Sequence, residues 1–476
     1  MYFLLALTLL ISATILLVIM IRGASKQSPD LLSMRNLFLV GLIVFQYTSG
    51  IIAFIAPNLT NPYAIADRRG PGLKFVFMLL LFTVGFLAIY RSGFIADKVV
   101  ALFNKKQVHV TWPKLIVLSL VFFALGAVFR LVMVQVPYFG ILSIQVGAAF
   151  LALSTGLAAW AWAPRLWNPI PLLVVIFVVF GGMAIFFMDS FGRRDMLGIV
   201  LAFVWGAYYS TWRNISYKKL VFRFGILGIM GVFFLAAYSS TRFNYGIKMA
   251  SLGDRVRALA DADIAQGVTD LFSGQNAASY SIYFIETRPD SHSYDTLHSA
   301  KLFFALPFPR AAWPGKPNAL AITSTQEINS VGMPKNWNIG PGLIGHFAND
   351  NPFLALPLYT FILAVFFKFT DGLLKKYNYD PFVVLPMGVA LGQIIAVPRG
   401  ELANFFGKTV FYIIGGWIAM QIIARFIQLL SPTSSMFVAD DNQYGDGLDE
   451  DQSDHDTYNG YEDYQSDDHD DSTYSY

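Results

Sequence analysis

Ile170-Pro171-Leu172-Leu173-Val174-Val175-Ile176-Phe177-Val178-Val179-Phe180-Gly181-Gly182-Met183-Ala184-Ile185-Phe186-Phe187-Met188 runs for nineteen residues without one charged side chain. An α-helix of that length crosses the roughly 30 Å hydrocarbon layer of a bilayer. Comparable runs lie at 3–21, 36–56, 74–90, 114–134, 141–162, 196–212, 219–238, 353–369, 381–397 and 409–430. Eleven spans predict an all-α polytopic membrane protein. The composition agrees: 14% of residues are charged, where a soluble chain carries about a quarter. Glycines and prolines inside the spans, Gly85, Gly126, Gly147, Gly228 and Pro386 among them, suit packed membrane helices.

The formal net charge is +3, but the stretch from Asp440 to Tyr476 holds fourteen Asp and Glu and no Lys or Arg, so the rest of the chain is about +17 (3 + 14). That Asp-, Tyr-, Ser- and Gly-rich tail, 431–476, has little to bury and is expected to be disordered and solubilising. There is no cysteine, which excludes disulfides, thiol nucleophiles and cysteine metal sites. Met1-Tyr2-Phe3 lacks a basic n-region, so the first run is expected to be a true span.

Lys and Arg set the orientation. Seventeen lie on one set of connections, among them Arg22, Arg35, Arg91, Lys98, Arg165, Arg213, Lys368, Lys376 and Arg425. The opposite short loops hold seven: Arg68, Arg69, Lys74, Arg193, Arg194, Arg399 and Lys408. This imbalance places the N-terminus outside, the C-terminus in the cytoplasm and the long segment 239–352 outside. Four parts result: spans one to eight (1–238), the long loop (239–352), three further spans (353–430) and the tail (431–476). Within the loop, the apolar spacing of Leu252, Val256, Leu259, Ile264 and Val268 predicts an amphipathic helix over 249–272. A second, shorter helix over 294–306 is expected at the membrane surface.

The same loop carries the densest chemistry. Pro307, Pro309, Pro314 and Pro317 fall within eleven residues and forbid a continuous helix. They leave a rigid extended segment that presents Arg310, Trp313 and Lys316. Arg130 falls inside the fourth span, where an arginine is costly unless it meets water, an anion or a carboxylate such as Asp189. Gly192-Arg193-Arg194-Asp195 is a tight connector on the arginine-poor side, suited to an anionic headgroup or pyrophosphate, or simply paired with Asp189 and Asp195. Arg399-Gly400-Glu401 opens the last short loop, as an anion contact or an exposed ion pair. His346, in a Gly-rich stretch leading into a span, is a candidate base for a sugar hydroxyl, although a lone histidine is more often structural. Asp350 and Glu401 compete for the role. No histidine spacing resembles a metal site. Phosphate-loop, dinucleotide and GxSxG signatures are absent, which disfavours ATP-driven transport and serine hydrolysis.

Leu306-Pro307-Phe308-Pro309-Arg310 followed by Trp313-Pro314-Gly315-Lys316-Pro317 is similar to a segment in the large periplasmic loop of bacterial O-antigen polymerases, the oligosaccharide repeat-unit polymerases. Gly192-Arg193-Arg194 resembles that family's Gly/Arg loop. Gly345-His346-Phe347-Ala348-Asn349 stands where members often have Gly-Glu-x-x-x-Asn, with His346 replacing the acid. A histidine before a late span is also similar to the related O-antigen ligases. The layout match covers residues 1–430, its specific motifs about forty residues.

The resemblance implies a multi-pass protein of the bacterial inner membrane that joins polyprenyl-pyrophosphate-linked repeat units at its outer face, without metal or cofactor. Arg193, Arg194 and Arg310, with Arg130 or Arg399, would hold the pyrophosphate as its negative charge develops. His346, Asp350 or Glu401 would deprotonate the acceptor hydroxyl. Trp313 would stack on sugar, with Lys316 beside it. The implied partners are the lipid-linked glycan, the bilayer, and chain-length-regulator and flippase proteins; nucleic acid is not among them. The rival readings are a ligase, a polysaccharide or lipid-intermediate exporter, and a non-catalytic scaffold.

Overall fold

A computed structural model describes residues 1–26, 31–56, 69–104, 110–136, 139–189, 193–244, 253–254, 257, 260–273, 277–310, 312–328 and 340–430. The described residues are helical, with no strand among them. Nine of their helices are long and apolar enough to cross a membrane, and two shorter apolar helices, Met196–Ser210 and Pro381–Ala396, accompany them. The chain is an all-α polytopic membrane protein. The tail 431–476 and, within the helix expected over 249–272, residues 249–252, 255–256 and 258–259 lie outside the described residues.

In chain order the helices are α1 (Tyr2–Lys26), α2 (Met34–Leu42), α3 (Ser49–Ile55), α4 (Arg69–Ser92), α5 (Ala96–Leu102), α6 (Trp112–Leu131), α7 (Gly140–Trp162), α8 (Pro169–Asp189), α9 (Arg193–Ser210) and α10 (Tyr217–Asn244). The 239–352 segment contributes α11 (Ile264–Ser273), α12 (Ala277–Thr287), α13 (His298–Ala305), α14 (Leu320–Ile328) and α15 (Gly342–Asn349). Then follow α16 (Pro352–Lys376), α17 (Pro381–Val389), α18 (Leu391–Ala396) and α19 (Leu402–Leu430). The short helix expected over 294–306 is therefore α13, whereas the amphipathic helix expected over 249–272 is interrupted: described residues 253–254, 257 and 260 are helical, 261–263 are not, and α11 begins at Ile264.

Local chemistry explains several boundaries. Ser33 caps α2 by accepting the Asn36 amide, and the carboxylate of Asp371 on α16 takes the amides of Met34 and Arg35 at 2.7 and 3.2 Å. These are the donors a helix start leaves unpaired. Asp380 caps α17 on the Phe382 amide, with Pro381 at the first helical position. The run read as one span over 381–397 is broken into α17 and α18 at Ala390, four residues beyond Pro386. A π turn, Ile43–Thr48, joins α2 to α3.

The core that fixes the long segment to the bundle is aromatic. Phe38 of α2 stacks against Phe367 of α16 at 4.8 Å and Phe86 of α4 at 5.2 Å between ring centroids. Phe82 of α4 meets Phe347 of α15 at 5.5 Å, and Phe347 meets Tyr359 of α16 at 5.9 Å. All eight residues of α15 are buried. It enters beside the π turn at Gly342, whose φ of 74° and contact with the Gln46 amide leave no room for a Cβ. Thus α12 and α15 are wedged into one end of the bundle rather than resting upon it.

A very close helix crossing lies between α2 and α18, where a Cβ on Gly41 would overlap the Ile395 carbonyl oxygen. A backbone atom cannot turn aside as a side chain does. Gly41→Ala is expected to cut the monodisperse yield in detergent severalfold, by an overpacking cost of about 1–3 kcal/mol. An unchanged size-exclusion profile and melting temperature would show that the two helices do not meet this way.

Candidate functional site

The wedge brings together residues that are far apart in sequence. Helix α15 ends with its last carbonyls unpaired, and the 295–297 segment supplies the donors. The Asp295 amide donates to the Asn349 carbonyl, and the Leu297 amide to the Asp350 carbonyl, both at 3.1 Å. Leu297 adopts the left-handed region to make the turn into α13. The Asp350 carboxylate then sits at the start of α13. Its Oδ2 accepts the Ser299 amide and the Tyr359 hydroxyl, each at 2.7 Å, and its Oδ1 accepts the Asn349 side-chain amide at 3.1 Å. Burial pushes the Asp350 carboxyl above its ordinary range, and these donors pull part of that back.

His346 is wholly buried. The Leu402 amide donates to its Nε2 at 3.0 Å, which assigns the proton to Nδ1, 2.8 Å from the Ser299 hydroxyl. The Gly400 carbonyl also lies 3.2 Å from Nε2. Burial, with the charge of nearby His298, pushes the imidazole down to about 3, so the ring is neutral. Both of its nitrogens are engaged.

Glu401 is the third carboxyl or imidazole of the group and differs from the other two. Its Oε2 accepts the Ala321 amide at 2.9 Å and lies 3.9 Å from His346 Nε2. Its Oε1 is buried and has no hydrogen-bond partner among the described residues. Burial is the main cause that lifts this carboxyl to about 7. The Ala321 amide, His298 and the Leu320 amide act against the rise, and Asp350 adds to it. Such a group exchanges its proton near neutrality, and one of its oxygens is free to take one.

His298 completes the cluster. Asp295 Oδ2 is 2.6 Å from its Nδ1, and the Asn318 carbonyl is 2.9 Å from its Nε2. Lys301 donates to the other oxygen of Asp295 at 3.2 Å. Burial alone would raise the Asp295 carboxyl, but the hydrogen bonds from His298 and Lys301 outweigh it and hold it below its usual value.

The three candidate bases are therefore neighbours, built from α13, α15, α16 and the turn before α19. The candidate anion-binding residues are placed otherwise. Arg310 is exposed and turns back on its own segment: Nη1 donates to the Lys316 carbonyl, and Nη2 to the Pro317 carbonyl and the Asn318 side-chain oxygen at 2.6 Å. Lys316 returns the favour, donating to the Leu306 and Phe308 carbonyls. Trp313 packs edge-on against Phe308. The proline-rich segment is thus a knot of cation-to-carbonyl bonds. Arg310→Lys cannot make three planar contacts at once and is expected to speed elastase cleavage after Ala311 and Ala312 severalfold, with little change in melting temperature. Unchanged cleavage would mean the knot does not depend on the fork.

Arg130 is buried between α7 and α8, donating to the Ile144 carbonyl at 3.2 Å and lying 4.4 Å from the Phe186 ring. Neither helix contributes to the Glu401 cluster. Arg399 lies over the Phe45 ring at 5.5 Å, on the π turn. Arg193 and Arg194 open α9, and their side chains, like that of Asp189, lie outside the described residues. Ser299, His298, Asp295 and Tyr359 were not picked out by sequence reasoning as site residues. The Asp295-x-x-His298 spacing was the available signal for two of them. Among the described residues no three His, Asp or Glu are grouped to hold a metal ion.

A membrane bundle closed at one end by a buried carboxylate–histidine cluster is the class of protein that the fold and the site define. The chain matches no protein-family model, no curated protein and no solved structure.

Proposed function

We propose that the protein transfers glycans between polyprenyl-pyrophosphate carriers at the outer face of the bacterial inner membrane, extending a repeat-unit polymer. The N-terminus and the 239–352 segment would then face outward and the C-terminus the cytoplasm, as the Lys and Arg distribution favours. The observation that carries the reading is Glu401: a buried carboxyl, lifted to about 7, with one oxygen that has no partner among the described residues. It serves as the base in preference to His346 and Asp350, whose hydrogen-bonding positions are already occupied.

The acceptor sugar's hydroxyl oxygen bonds to the anomeric carbon of the donor, and its proton passes to Glu401 Oε1. The bond from that carbon to the pyrophosphate oxygen breaks, and its electron pair leaves with the carrier. Arg193 and Arg194 would stabilise the charge that appears there, with Arg399 at the approach. Because Oε1 is covered, the acceptor reaches it as α14, which touches Oε2 through Ala321, gives way. The test is a strain lacking the gene, supplied with wild type or Glu401→Gln, with its lipid-linked glycans separated by size. A ladder from the wild type and single units from the variant support polymerisation. Ladders from both would remove Glu401 from the reaction, and polymer that forms normally but stays lipid-linked would point to a ligase.

A further inference from the structure

The far end of the bundle carries a crevice that glycan transfer does not use. It opens where α4 ends, α5 begins and α16 passes. Ile89, Ser92, Phe94, Ala96, Val365 and Lys368 line a cavity of about 200 Å3. Lys368 lies sixteen residues along α16 from Pro352, about 24 Å of helix away from the Glu401 cluster.

The crevice is a built feature rather than a gap between loose helices. Lys376 donates to the Val100 and Phe103 carbonyls, and the Tyr377 hydroxyl to the Phe103 carbonyl at 2.6 Å. These bonds cap the end of α5 and bind it to the end of α16. The outer surface of the same element is strongly apolar, with Phe94 70% and Leu102 82% exposed. The walls are apolar too, except for Ser92 and for Lys368, whose ammonium lies 5.5 Å from the Tyr90 ring and 3.5 Å from Asp97. Lys98 sits over the Phe94 ring at 4.3 Å, and Arg91 is exposed at the end of α4. Lys368 and Lys98 therefore stand beside one carboxylate, Asp97, at the rim of an apolar slot, with Arg91 exposed at the adjoining end of α4. Exposed aromatic and aliphatic side chains beside lysine and arginine, at the end of a membrane span, match the level where acyl chains meet headgroups.

We propose that this crevice is a binding site for an anionic phospholipid, with one acyl chain in the slot and its phosphate against Lys368, Lys98 and Arg91. A zwitterionic lipid fits the slot equally well but brings a choline or ethanolamine cation to a mouth that is already positive. The proposal is independent of the glycan reading.

The test is native mass spectrometry of the full chain released from micelles with equal phosphatidylglycerol and phosphatidylcholine. Wild type is expected to retain phosphatidylglycerol in preference. Lys368→Gln should lower that preference about fivefold, the contribution of one lysine near anionic lipid. Val365→Trp, which fills the slot, should lose both lipids. Lys74→Gln, at the opposite end of α4, should leave the preference unchanged. Should Lys368→Gln fail to fold, Lys98→Gln at the exposed rim makes the same charge test. Equal retention of the two lipids by wild type would overturn the proposal. So would undiminished phosphatidylglycerol on Val365→Trp, or its release by millimolar inorganic phosphate, which would mark a simple anion site.

Discussion

Glu401→Gln is expected to reduce chain growth by a factor of about 10²–10⁴, the range a positioned general base contributes. Glutamine has nearly the shape of the acid and no proton affinity to offer. The rate in wild type should rise with pH through about 7, where the carboxyl loses its proton, and level off above. Stability should move the other way. The folded state holds this proton more tightly than the unfolded chain, whose carboxyl titrates near 4.5. The stabilisation is thus complete below that value and is lost as pH rises through about 7. Glu401→Gln removes this loss, so at pH 8 the inactive variant should melt no lower than wild type. Melting curves in detergent and the glycan ladder, measured on the same preparations, separate a catalytic defect from a folding one. A variant that is inactive because it has unfolded would leave the base unassigned to Glu401.

Asp350→Ala should have the opposite profile, with its main effect on the fold. The substitution strands three donors in a buried place: the Ser299 amide, the Tyr359 hydroxyl and the Asn349 side chain. Each unsatisfied buried group costs about 1–3 kcal/mol, and the three are coupled. A loss of several kcal/mol lowers the melting temperature of a chain this size by on the order of 5–10 °C. Asp350→Asn, which keeps an acceptor for the amide and hydroxyl, should lose less. If Asp350→Ala melts like wild type, Asp350 is not the post that joins α13 to α16.

Of the three residues that compete as bases in the sequence, nothing local separates them. His346 stands in a glycine-rich stretch, Asp350 four residues later, and Glu401 after Arg399-Gly400. Each type is a plausible proton acceptor, and none has a motif around it. The distinction arises from partners 47 to 80 positions away: Ser299 and Leu402 on His346, Ser299 on Asp350, and Ala321 on Glu401. Arg310 is a second case. In sequence it projects from a rigid proline segment as an anion ligand, whereas in the folded chain its fork is spent on carbonyls six to eight residues ahead. A turn that closes on itself is invisible to composition.

Apolar runs of about twenty residues are local properties, because a membrane asks only that a segment be long and apolar and that its backbone bond within itself. For that reason the sequence alone determined the all-α membrane class, the approximate place of the nine described helices long and apolar enough to cross, and the short helix α13. It could not determine that α15 is buried between α4 and α16, that the span over 381–397 breaks at Ala390, or that Glu401 is the carboxyl with an open oxygen. Those follow from which helices pack together. Desolvation and hydrogen bonding at a buried site are set by neighbours that only the tertiary structure supplies.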